Sequence, residues 1–599
     1  MFSDITRQDL LKVEKPARYV GGEYNQVIKR KEDVKVRFAF CFPDVYDIGM
    51  SNLGMKILYN VLNKREDTWC ERVFAPWPDF EEVMRKKNVK LYALESKDEI
   101  KDFDIVAFTL QYEMSYTNIL NMLDLAGIPI LSSERTEKDP FVFAGGPCAC
   151  NPATMSKFID VFMLGEGEEI IDTITGKYAE WKEKNLPKIE YLKSIKDLKG
   201  IYIPALHTQN DKIEKVVIKD LDKVVYPTSF VVPSTDIIQN RISLEVFRGC
   251  TRGCRFCQAG YIYRPVREKN VDTLLSQAKE SVKRTGQNEI SLCSLSTIDY
   301  SQFNELAEGL IKLGKDKRVG ISLPSIRIDA IDVNILKQIQ EVRKSSLTFA
   351  PEAGSQRLRD VINKNITEED ILRGCKLAFE NGWTNIKLYF MIGLPTETYE
   401  DLEEIVTLAN KVVDLYYSLP KEKRNGKCNV TVSTSTFVPK PHTPFQWFGQ
   451  NTIDKIELKQ QFLKDKLKNR CVKYNWHNPT ISKLEAVIAR GDERVCDVIY
   501  EAFKNGATFD SWEDKLNLEA WNKAFKKLNI DPVDYASKEY SLDDELPWDN
   551  IMHGVTKEFL KREYKKAMEA VTTPRCSLKC SGCGVNKIAS CKFLNENRW

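Results

Sequence analysis

Apolar runs of strand length alternate with amphipathic segments through the first part of the chain, roughly residues 34–183. VKVRFAFCF (34–42) precedes a helix-like segment at 53–63, and DIVAFTL (104–110) precedes another that ends near Gly127. The apolar runs IPILS, FVFAGGP and IDVFMLGEGEE follow. This alternation predicts a doubly wound, flavodoxin-like parallel sheet with helices on both faces.

Two glycine-containing turns follow strands of this predicted sheet. Gly145 and Gly146 stand in the first turn, and Gly165 and Glu166 stand in the second. Ligands of open α/β sheets bind beyond the carboxyl ends of the strands, and glycine lets a bulky ligand approach the backbone closely. We therefore predict that these four residues contact a cofactor.

The strand–helix alternation is repeated six times in the middle of the chain. The predicted strands are 242–247, 289–295, 319–325, 346–352, 385–393 and 429–439. Six consecutive βα units predict a partial (β/α)6 barrel of the TIM type, whose active site would lie at the carboxyl ends of the strands. A second open sheet has the same sequence pattern, so this alternative stays open.

Five regions are therefore predicted. They are an α/β domain at 1–183, a lysine-rich connector at 184–235, a barrel at 236–450, a helical region at 451–570 and a cysteine-rich tail at 571–599. The fold class is α/β, with a C-terminal helical extension that carries a cysteine cluster.

Composition indicates a soluble globular protein, because 42% of the residues are hydrophobic and 29% are charged. The 89 basic and 86 acidic residues nearly cancel, which argues against a global surface for polyanions. The first residues lack a secretory signal pattern, and no apolar run reaches the roughly 18 residues of a membrane span. A cytoplasmic protein is expected.

Three cysteines lie directly after the first predicted barrel strand. Cys250, Cys254 and Cys257 are spaced C-x3-C-x2-C, and the next cysteine is Cys293. Clustered cysteines in a reducing compartment indicate metal rather than disulfides. Structural zinc requires four protein ligands, whereas three thiolates fit a four-iron cluster whose fourth iron is open to a small molecule.

This cysteine motif, with the aromatic Phe256 before its last cysteine, resembles the radical S-adenosylmethionine (SAM) superfamily. The resemblance implies a [4Fe-4S] cluster whose open iron chelates the amino and carboxylate groups of SAM. An electron from a reductant such as flavodoxin or ferredoxin then cleaves SAM to methionine and a 5′-deoxyadenosyl radical. Arg248, Arg252 and Arg255 are expected to make the loop electropositive and to favour thiolates.

Segments after the later strands also match the superfamily: SLSTIDY, APEAGS, MIGLPTET and FVPKPHTPFQW, the last of which resembles methylthiotransferases. The resemblance implies that these segments surround SAM. The residues that it places near the cofactor are Ser294, Ser296, Arg327, Glu352, Ser355, Gly393 and Pro395.

GGPCACNPA and LGEGEE resemble the cobalamin-binding domains that precede many radical SAM barrels, and the whole chain resembles a bacterial group of this kind. The first zone contains no histidine, so cobalamin would bind without a histidine ligand from this domain. Tyr112, after the strand DIVAFTL, is expected to face the lower side of the cobalt. A degenerate sheet that no longer binds cobalamin is the alternative.

The tail repeats the cysteine spacing at Cys576, Cys580 and Cys583, and Cys591 follows. Four thiolates can close a second iron–sulfur cluster or a zinc site, and spacing alone does not choose. Residues 556–599 hold ten Lys or Arg against four Asp or Glu. This excess indicates either a solvated helix face or a contact to RNA phosphates.

Three functions are compatible with these features. The first is cobalamin-dependent methylation of an unreactive carbon in RNA or a ribosomal protein, with the radical removing the hydrogen atom. The second is methylthiotransferase-like sulfur insertion fed by the terminal cluster. The third is a cobalamin- or redox-sensing protein that binds RNA or ribosomes. No membrane partner is expected.

Overall fold

The computed structural model describes residues 2–322 and 347–592. Its first sheet has the strand order β2-β1-β3-β4-β5-β6. The strands β1 to β5 run parallel, and β6 pairs antiparallel with β5. The order 2-1-3-4-5 is the flavodoxin-like one, so the predicted doubly wound sheet is confirmed. Its strands are β1 (Val36–Phe42), β2 (Thr68–Phe74), β3 (Ile105–Thr109), β4 (Phe141–Gly145), β5 (Val161–Met163) and β6 (Ile201–Tyr202).

Helices cover both faces of this sheet, and local signals set their ends. The Asn52 side chain accepts a hydrogen bond from the backbone N–H of Met55 (2.8 Å) and caps one start. Gly127, at φ +71°, ends another helix in the left-handed conformation. The helices of this part are Leu53–Lys64, Pro78–Lys87, Tyr116–Ala126, Gly167–Glu183 and Lys188–Ile195, with short turns at Arg7–Leu10 and Tyr46–Gly49.

The middle of the chain forms two parallel sheets. Their orders are β12-β11-β8 and β13-β14-β15-β16. The strands are β8 (Ile242–Glu245), β11 (Glu289–Cys293), β12 (Gly320–Ser322), β13 (Leu347–Glu352), β14 (Asn385–Ile392), β15 (Asn429–Thr436) and β16 (Val472–Trp476). All six predicted barrel strands are present, although part of the third lies outside the described residues.

The strand β16 lies within the region that the sequence predicts to be helical, so that expectation is wrong at this point. The strand pairs with β15 in parallel from Val430↔Val472 to Thr434↔Trp476. Its residues are half-buried or exposed rather than buried. An edge strand without an apolar run gives little hydrophobic signal, which explains why it was missed.

Amphipathic helices pack beside these strands, as the strand–helix alternation predicts. Two of them start with capping boxes, which pair Thr367 with Asp370 and Thr398 with Asp401. The helices are Val271–Thr285, Phe303–Lys317, Gln356–Val361, Glu368–Glu380, Tyr399–Tyr417 and Ile453–Lys466.

The C-terminal region returns to the first domain and to the connector. The Thr117 hydroxyl donates to Asp510 (2.7 Å), and the Asn151 amide donates to the carbonyls of Ala489 and Gly491 (3.0 Å each). A short strand, β17 (Ile551–Met552), pairs with β7 (Ile213–Glu214) in the connector. The helices here are Pro479–Arg490, Arg494–Lys504, Leu518–Leu528, Val533–Ala536 and Lys557–Met568. Within the described ranges, no helix is both long and apolar enough to cross a membrane.

Candidate active site

A cleft of about 510 Å³ opens between the carboxyl edge of the first sheet and the start of the barrel. From the first domain it receives the ends of β1, β3, β4 and β5, and from the barrel the segments after β8 and β11. The edge of an open parallel sheet is where such folds bind ligands. Among the residues that line the cleft are Phe40, Thr109, Gln111, Gly145, Gly146, Gly165, Glu166, Lys215, Arg248, Gly249, Tyr263, Cys293, Ser294 and His553.

The glycines of the two predicted turns line this cleft. At Gly146 and Gly165, contacts within the protein already require glycine, without any ligand. Gly146 has φ +113°, and a Cβ there would lie 2.8 Å from the Leu110 carbonyl oxygen. Gly165 has φ +99°, and a Cβ there would lie 2.2 Å from the Val216 carbonyl oxygen. Close approach of backbone to backbone, together with the left-handed φ, therefore requires glycine at both positions.

Glu166 and Tyr112 are both engaged by protein partners. One Glu166 carboxylate oxygen accepts from the Arg267 guanidinium (2.5 Å) and from the Ile218 N–H (2.6 Å). The Tyr112 hydroxyl donates to Glu485 (2.8 Å). Gln111 lines the cleft, whereas its neighbour Tyr112 is not among the lining residues.

The three-cysteine loop follows β8 and a short antiparallel pair of β9 (Phe247–Arg248) and β10 (Arg267–Glu268). Gly249 turns the chain at φ +86°, and the backbone N–H of Arg252 donates to the Cys250 sulfur (3.4 Å). The loop ends in the short helix Ala259–Ile262. The cysteines therefore lie beyond the carboxyl end of the first barrel strand, as predicted.

The three arginines of the loop do not make it electropositive, because carboxylates from distant segments neutralise each one. This expectation is wrong, and the reason is tertiary packing that sequence spacing does not reveal. The arginines are almost completely shielded, and Arg255 is fully buried. Arg248 pairs with Glu245 and Glu168, Arg252 with Asp299, and Arg255 with Glu563.

Burial instead disfavours thiolates in the loop. It raises the pKa of Cys250 to about 12 and that of Cys257 to about 11, and the neighbouring Cys254 adds to both shifts. A bound metal would reverse this preference, because it binds only the deprotonated ligand and releases the proton.

The loop fits a four-iron cluster by its donor chemistry. Cys254 and Cys257 both lie close enough to act electrostatically on Cys250, so the three thiols share one small volume. Three thiolates and one open iron are the donor set that such a cluster requires. In the described parts of the chain, no group of three or more His, Cys, Asp or Glu side chains is arranged to hold a metal ion. That finding applies equally to both cysteine groups.

Glu352 stands in a strained backbone position beside the cysteines. It ends β13 at φ +69°, after an irregularity in the register with β14 that begins at Phe349. Its carboxylate pairs with Lys364 (3.1 Å), and both groups act on Cys257. A bulge at a strand end re-aims a side chain, and left-handed strain in a residue other than glycine concentrates at functional sites.

Ser296 supports the cysteine loop through Asp299. The Ser296 hydroxyl donates to Asp299 (2.6 Å), which in turn accepts two hydrogen bonds from Arg252 (2.5 and 2.8 Å). Ser294 lines the cleft and shares a hydrogen bond with Thr297 (2.9 Å). Asp299 lies within SLSTIDY but carries no motif signal of its own, so only the structure identifies it.

The remaining predicted SAM contacts have mixed placements. Ser355 caps the helix Gln356–Val361 by accepting from the Leu358 N–H (3.1 Å), and Gly393 turns the chain at φ +80°. Phe256 packs against an apolar cluster that contains Leu358. Pro395 is buried just beyond Gly393. Arg327 lies outside the described residues.

His553 is a cleft residue that the sequence analysis did not select. It is 6% exposed, and neither ring nitrogen has a hydrogen-bond partner among the residues that the structure describes. Burial, together with nearby His442, lowers its pKa well below the ordinary value. A buried imidazole with two unsatisfied nitrogens at a cleft wall needs a partner from a ligand or water. Its only sequence signal was scarcity, because the chain has four histidines.

Lys215 lies near His553 in the cleft wall and was also missed. Its ammonium donates to the carbonyls of Ile262 and Arg264 (2.6 Å each). Burial, followed by the charge of Arg267, lowers the pKa of Lys215 to about 7. The cleft therefore contains two bases that are neutral, or partly neutral, near physiological pH.

The cysteine-rich tail packs directly on the three-cysteine loop. The Cys576 N–H donates to the Thr251 carbonyl (2.8 Å), and the Thr573 N–H donates to Asn363 (2.7 Å). Asn363 in turn donates to the Gly253 carbonyl (3.0 Å). Several basic residues of this segment pair with carboxylates, which favours the solvated-face interpretation over an RNA contact: Lys557, Lys561, Lys566, Arg575 and Lys592.

Fold and site together define a class of protein: a parallel α/β protein with three closely spaced cysteines beyond the end of a strand, beside the carboxyl edge of a doubly wound sheet.

Comparisons with known proteins identify the family. A family model described as "Radical SAM superfamily" matches residues 244–409, and one described as "Radical SAM proteins, N-terminal" matches residues 54–204. An uncharacterized protein of Methanocaldococcus jannaschii is 33% identical over 459 residues, covering 76% of this chain and 89% of that protein. The ribosomal protein uS12 methylthiotransferase RimO of Hydrogenobaculum sp. is 24% identical over 254 residues, covering 41% of this chain and 56% of RimO.

Among solved structures, the radical S-adenosylmethionine methyltransferase TsrM of Kitasatospora setae, with cobalamin and a [4Fe-4S] cluster bound, aligns with 89% of this chain and 99% of TsrM. The TM-score is 0.49 and the sequence identity is 11%. The chain belongs to the radical SAM superfamily. It is a radical SAM enzyme, with a [4Fe-4S] cluster and SAM as its cofactors.

Proposed function

We propose that this enzyme methylates an unreactive carbon of a macromolecule and that the cleft holds cobalamin as the methyl carrier. The observation that carries the proposal is the position of the cleft, which extends from the carboxyl edge of the doubly wound sheet to Gly249 and Tyr263, on either side of the three cysteines. A methyl carrier in this cleft would lie between its own binding domain and the source of the radical.

The cleft residues fit such an occupant in two ways. Apolar side chains dominate its walls, which suits a large ring system with few charges. His553 presents two unsatisfied nitrogens that an amide-bearing ligand can satisfy. When bound, the cluster and SAM supply a 5′-deoxyadenosyl radical, and cobalamin supplies the methyl group.

The chain's own residues have three roles in this proposal. Cys250, Cys254 and Cys257 hold the cluster, and Glu352 with Ser294 positions SAM. Asp299 fixes the cysteine loop through Arg252. The walls of the cleft exclude water, so that a carbon radical meets the methyl donor rather than solvent.

Anaerobic purification with added hydroxocobalamin tests the proposal. We expect retained cobalamin in the absorbance spectrum, and both 5′-deoxyadenosine and S-adenosylhomocysteine as products of SAM. His553→Ala is expected to weaken cobalamin retention. The matched control is His207→Ala, a buried histidine whose ring accepts a hydrogen bond from the Ile203 N–H (2.9 Å). Protein that retains no cobalamin under these conditions contradicts the methyl-carrier role.

Methylthio transfer is the second candidate, favoured by the similarity to RimO and by FVPKPHTPF. RimO is a ribosomal protein methylthiotransferase, and a ribosomal protein or an RNA is the substrate class that we propose here. Mass spectrometry of RNA nucleosides and ribosomal proteins from wild-type and deletion cells separates the two reactions, because a product gains either a methyl or a methylthio mass.

The third function, a sensor that binds RNA or ribosomes, is disfavoured because the chain is a radical SAM enzyme, and turnover is its test. Multiple-turnover formation of 5′-deoxyadenosine, with a reductant such as flavodoxin or ferredoxin, requires an enzyme. A single turnover at most is expected of a sensor.

A further inference from the structure

Arg264 is a buried cation with no carboxylate partner in residues 2–322 and 347–592. The residue is 3% exposed, and its guanidinium lies over the rings of Tyr261 and Phe559 (5.0 and 5.7 Å). Nε donates to the Gly260 carbonyl (2.9 Å) and Nη2 to the Arg252 carbonyl (3.0 Å). Nη1 is buried and has no hydrogen-bond partner. A buried charge is costly unless an opposite charge balances it.

The groups that surround this guanidinium are the cysteines of the tail. Cys576 and Cys583 lie close enough to Arg264 to act on its charge, and Cys576 is within the same reach of Cys580 and Cys583. Cys583 is 9% exposed and belongs to the same apolar cluster as Tyr261 and Phe559. Cys576 and Cys583 therefore lie near a positive charge that has no carboxylate partner among the described residues, and Cys580 lies near Cys576.

Protonated thiols cannot neutralise a guanidinium, whereas thiolates can. In apolar surroundings thiolates persist when a metal binds them. Four thiolates around zinc, or around a four-iron cluster, leave a net negative charge on the site. Such a site supplies the anion that Arg264 lacks.

We propose that Cys576, Cys580, Cys583 and Cys591 form a closed tetrathiolate metal site whose negative charge is balanced by Arg264. Gly582 and Gly584, at φ +66° and +92°, reverse the chain around Cys583 so that the tail can fold back on itself. Zinc and a second iron–sulfur cluster share this ligand chemistry, and the experiment distinguishes them. The proposal does not depend on which group the enzyme transfers.

The site adjoins the SAM cluster loop rather than standing apart from it. The Cys576 N–H donates to the Thr251 carbonyl (2.8 Å), and Arg264 links the tail cysteines to the Arg252 carbonyl. A metal here locks the tail against the loop that carries Cys250 and Cys254. If the metal is an iron–sulfur cluster, it also lies beside the first cluster as a route for electrons.

The test uses the full-length protein, purified anaerobically with its metals. Thiol alkylation of the native protein, followed by mass spectrometry, is expected to leave the four tail cysteines unmodified until a chelator and denaturant are added. Metal analysis is expected to find either zinc or additional iron and sulfide beyond the SAM cluster. Either metal supports the proposal. Complete alkylation of all four cysteines in the native, metal-loaded protein overturns it.

Variants provide a second measurement. Cys580→Ser with Cys583→Ser is expected to lose the additional metal while retaining SAM cleavage, and Arg264→Met is expected to lower metal retention. Cys471→Ser is the control, because Cys471 lies elsewhere, beside Tyr417 (3.5 Å). Unchanged metal content in the double variant also overturns the proposal. Should the double variant fail to fold, the alkylation of the unmodified protein decides alone.

Discussion

Replacing Asp299 by alanine is expected to destabilise the SAM cluster although Asp299 is not a ligand. Asp299 and Arg252 are 7% and 6% exposed at their side chains, and two hydrogen bonds join them. Arg252 lies between Cys250 and Cys254, so its side chain fixes the conformation of the cysteine loop. The same carboxylate also accepts from Ser296.

The burial of this pair sets the expected magnitude. Removing one partner of a buried ion pair costs about 3–5 kcal/mol, because the other charge is left without compensation. At about 1.4 kcal/mol per factor of ten, this cost weakens cluster retention on the order of 100- to 4,000-fold. The control is Asp33→Ala, because Asp33 pairs with Arg30 at the surface, with 50% and 74% of the side chains exposed. Pairs of that kind contribute about 1 kcal/mol or less.

Chelator competition after anaerobic reconstitution measures the effect. Iron is counted in a background with Cys580→Ser and Cys583→Ser, so that only the SAM cluster contributes. Asp299→Ala is expected to release its iron at a much lower chelator concentration than the background protein, and to lose 5′-deoxyadenosine formation in parallel. Equal iron retention in Asp299→Ala, in Asp33→Ala and in the background protein refutes the reasoning.

Three further predictions address other residues. Glu352→Gln is expected to weaken SAM binding by about 10-fold or more, since it removes a charged hydrogen-bond partner. The iron content of the cluster is expected to stay constant. Unchanged SAM affinity in a binding titration contradicts this prediction. His553→Phe is expected to raise the melting temperature of ligand-free protein, because it removes an unsatisfied buried imidazole, and to reduce cobalamin retention; a lower melting temperature together with unchanged retention counts against a role in the cleft. Burial raises the pKa of Asp510 from 3.8 to about 6. Between about pH 4 and 6 the folded state therefore binds a proton that the unfolded state lacks. The stability of the fold falls as the pH rises through that window. Asp510→Asn is expected to remove this pH dependence of stability and to stabilise the fold by up to about 3 kcal/mol above pH 7. Melting curves from pH 4 to 8 that show the wild-type pH dependence in the variant contradict the prediction.

The sequence predicted the fold where burial leaves a strong pattern. The strands β1, β3 and β4 are almost entirely buried, and their apolar runs predicted the doubly wound sheet. β2 was missed, because its buried sequence includes Glu71 and Arg72, which form ion pairs. The predicted apolar run IPILS (128–132) forms no strand. β16 was missed because its exposed and half-buried positions lack such a run. The pairing of β6 with the first sheet was also missed, since two residues from the connector carry no signal for their partner.

The sequence predicted the part of the candidate site that the cysteine spacing marks. The C-x3-C-x2-C spacing located the loop, because cysteines clustered in a short segment indicate a metal site. The partners of that loop come from far away in sequence: Asp299 for Arg252 and Glu563 for Arg255. Tertiary packing alone decides such pairings. The loop was therefore expected to be electropositive, whereas carboxylates neutralise its arginines.

The contact between Cys576 and Thr251 has a consequence for synthesis. The ribosome makes the cysteine loop roughly 320 residues before the tail that covers it, which at about 5–20 residues per second corresponds to roughly 15 to 60 s. Throughout that interval the nascent loop has no cover from the tail. The order of the chain therefore leaves the cysteine loop without this contact until the tail segment has been made.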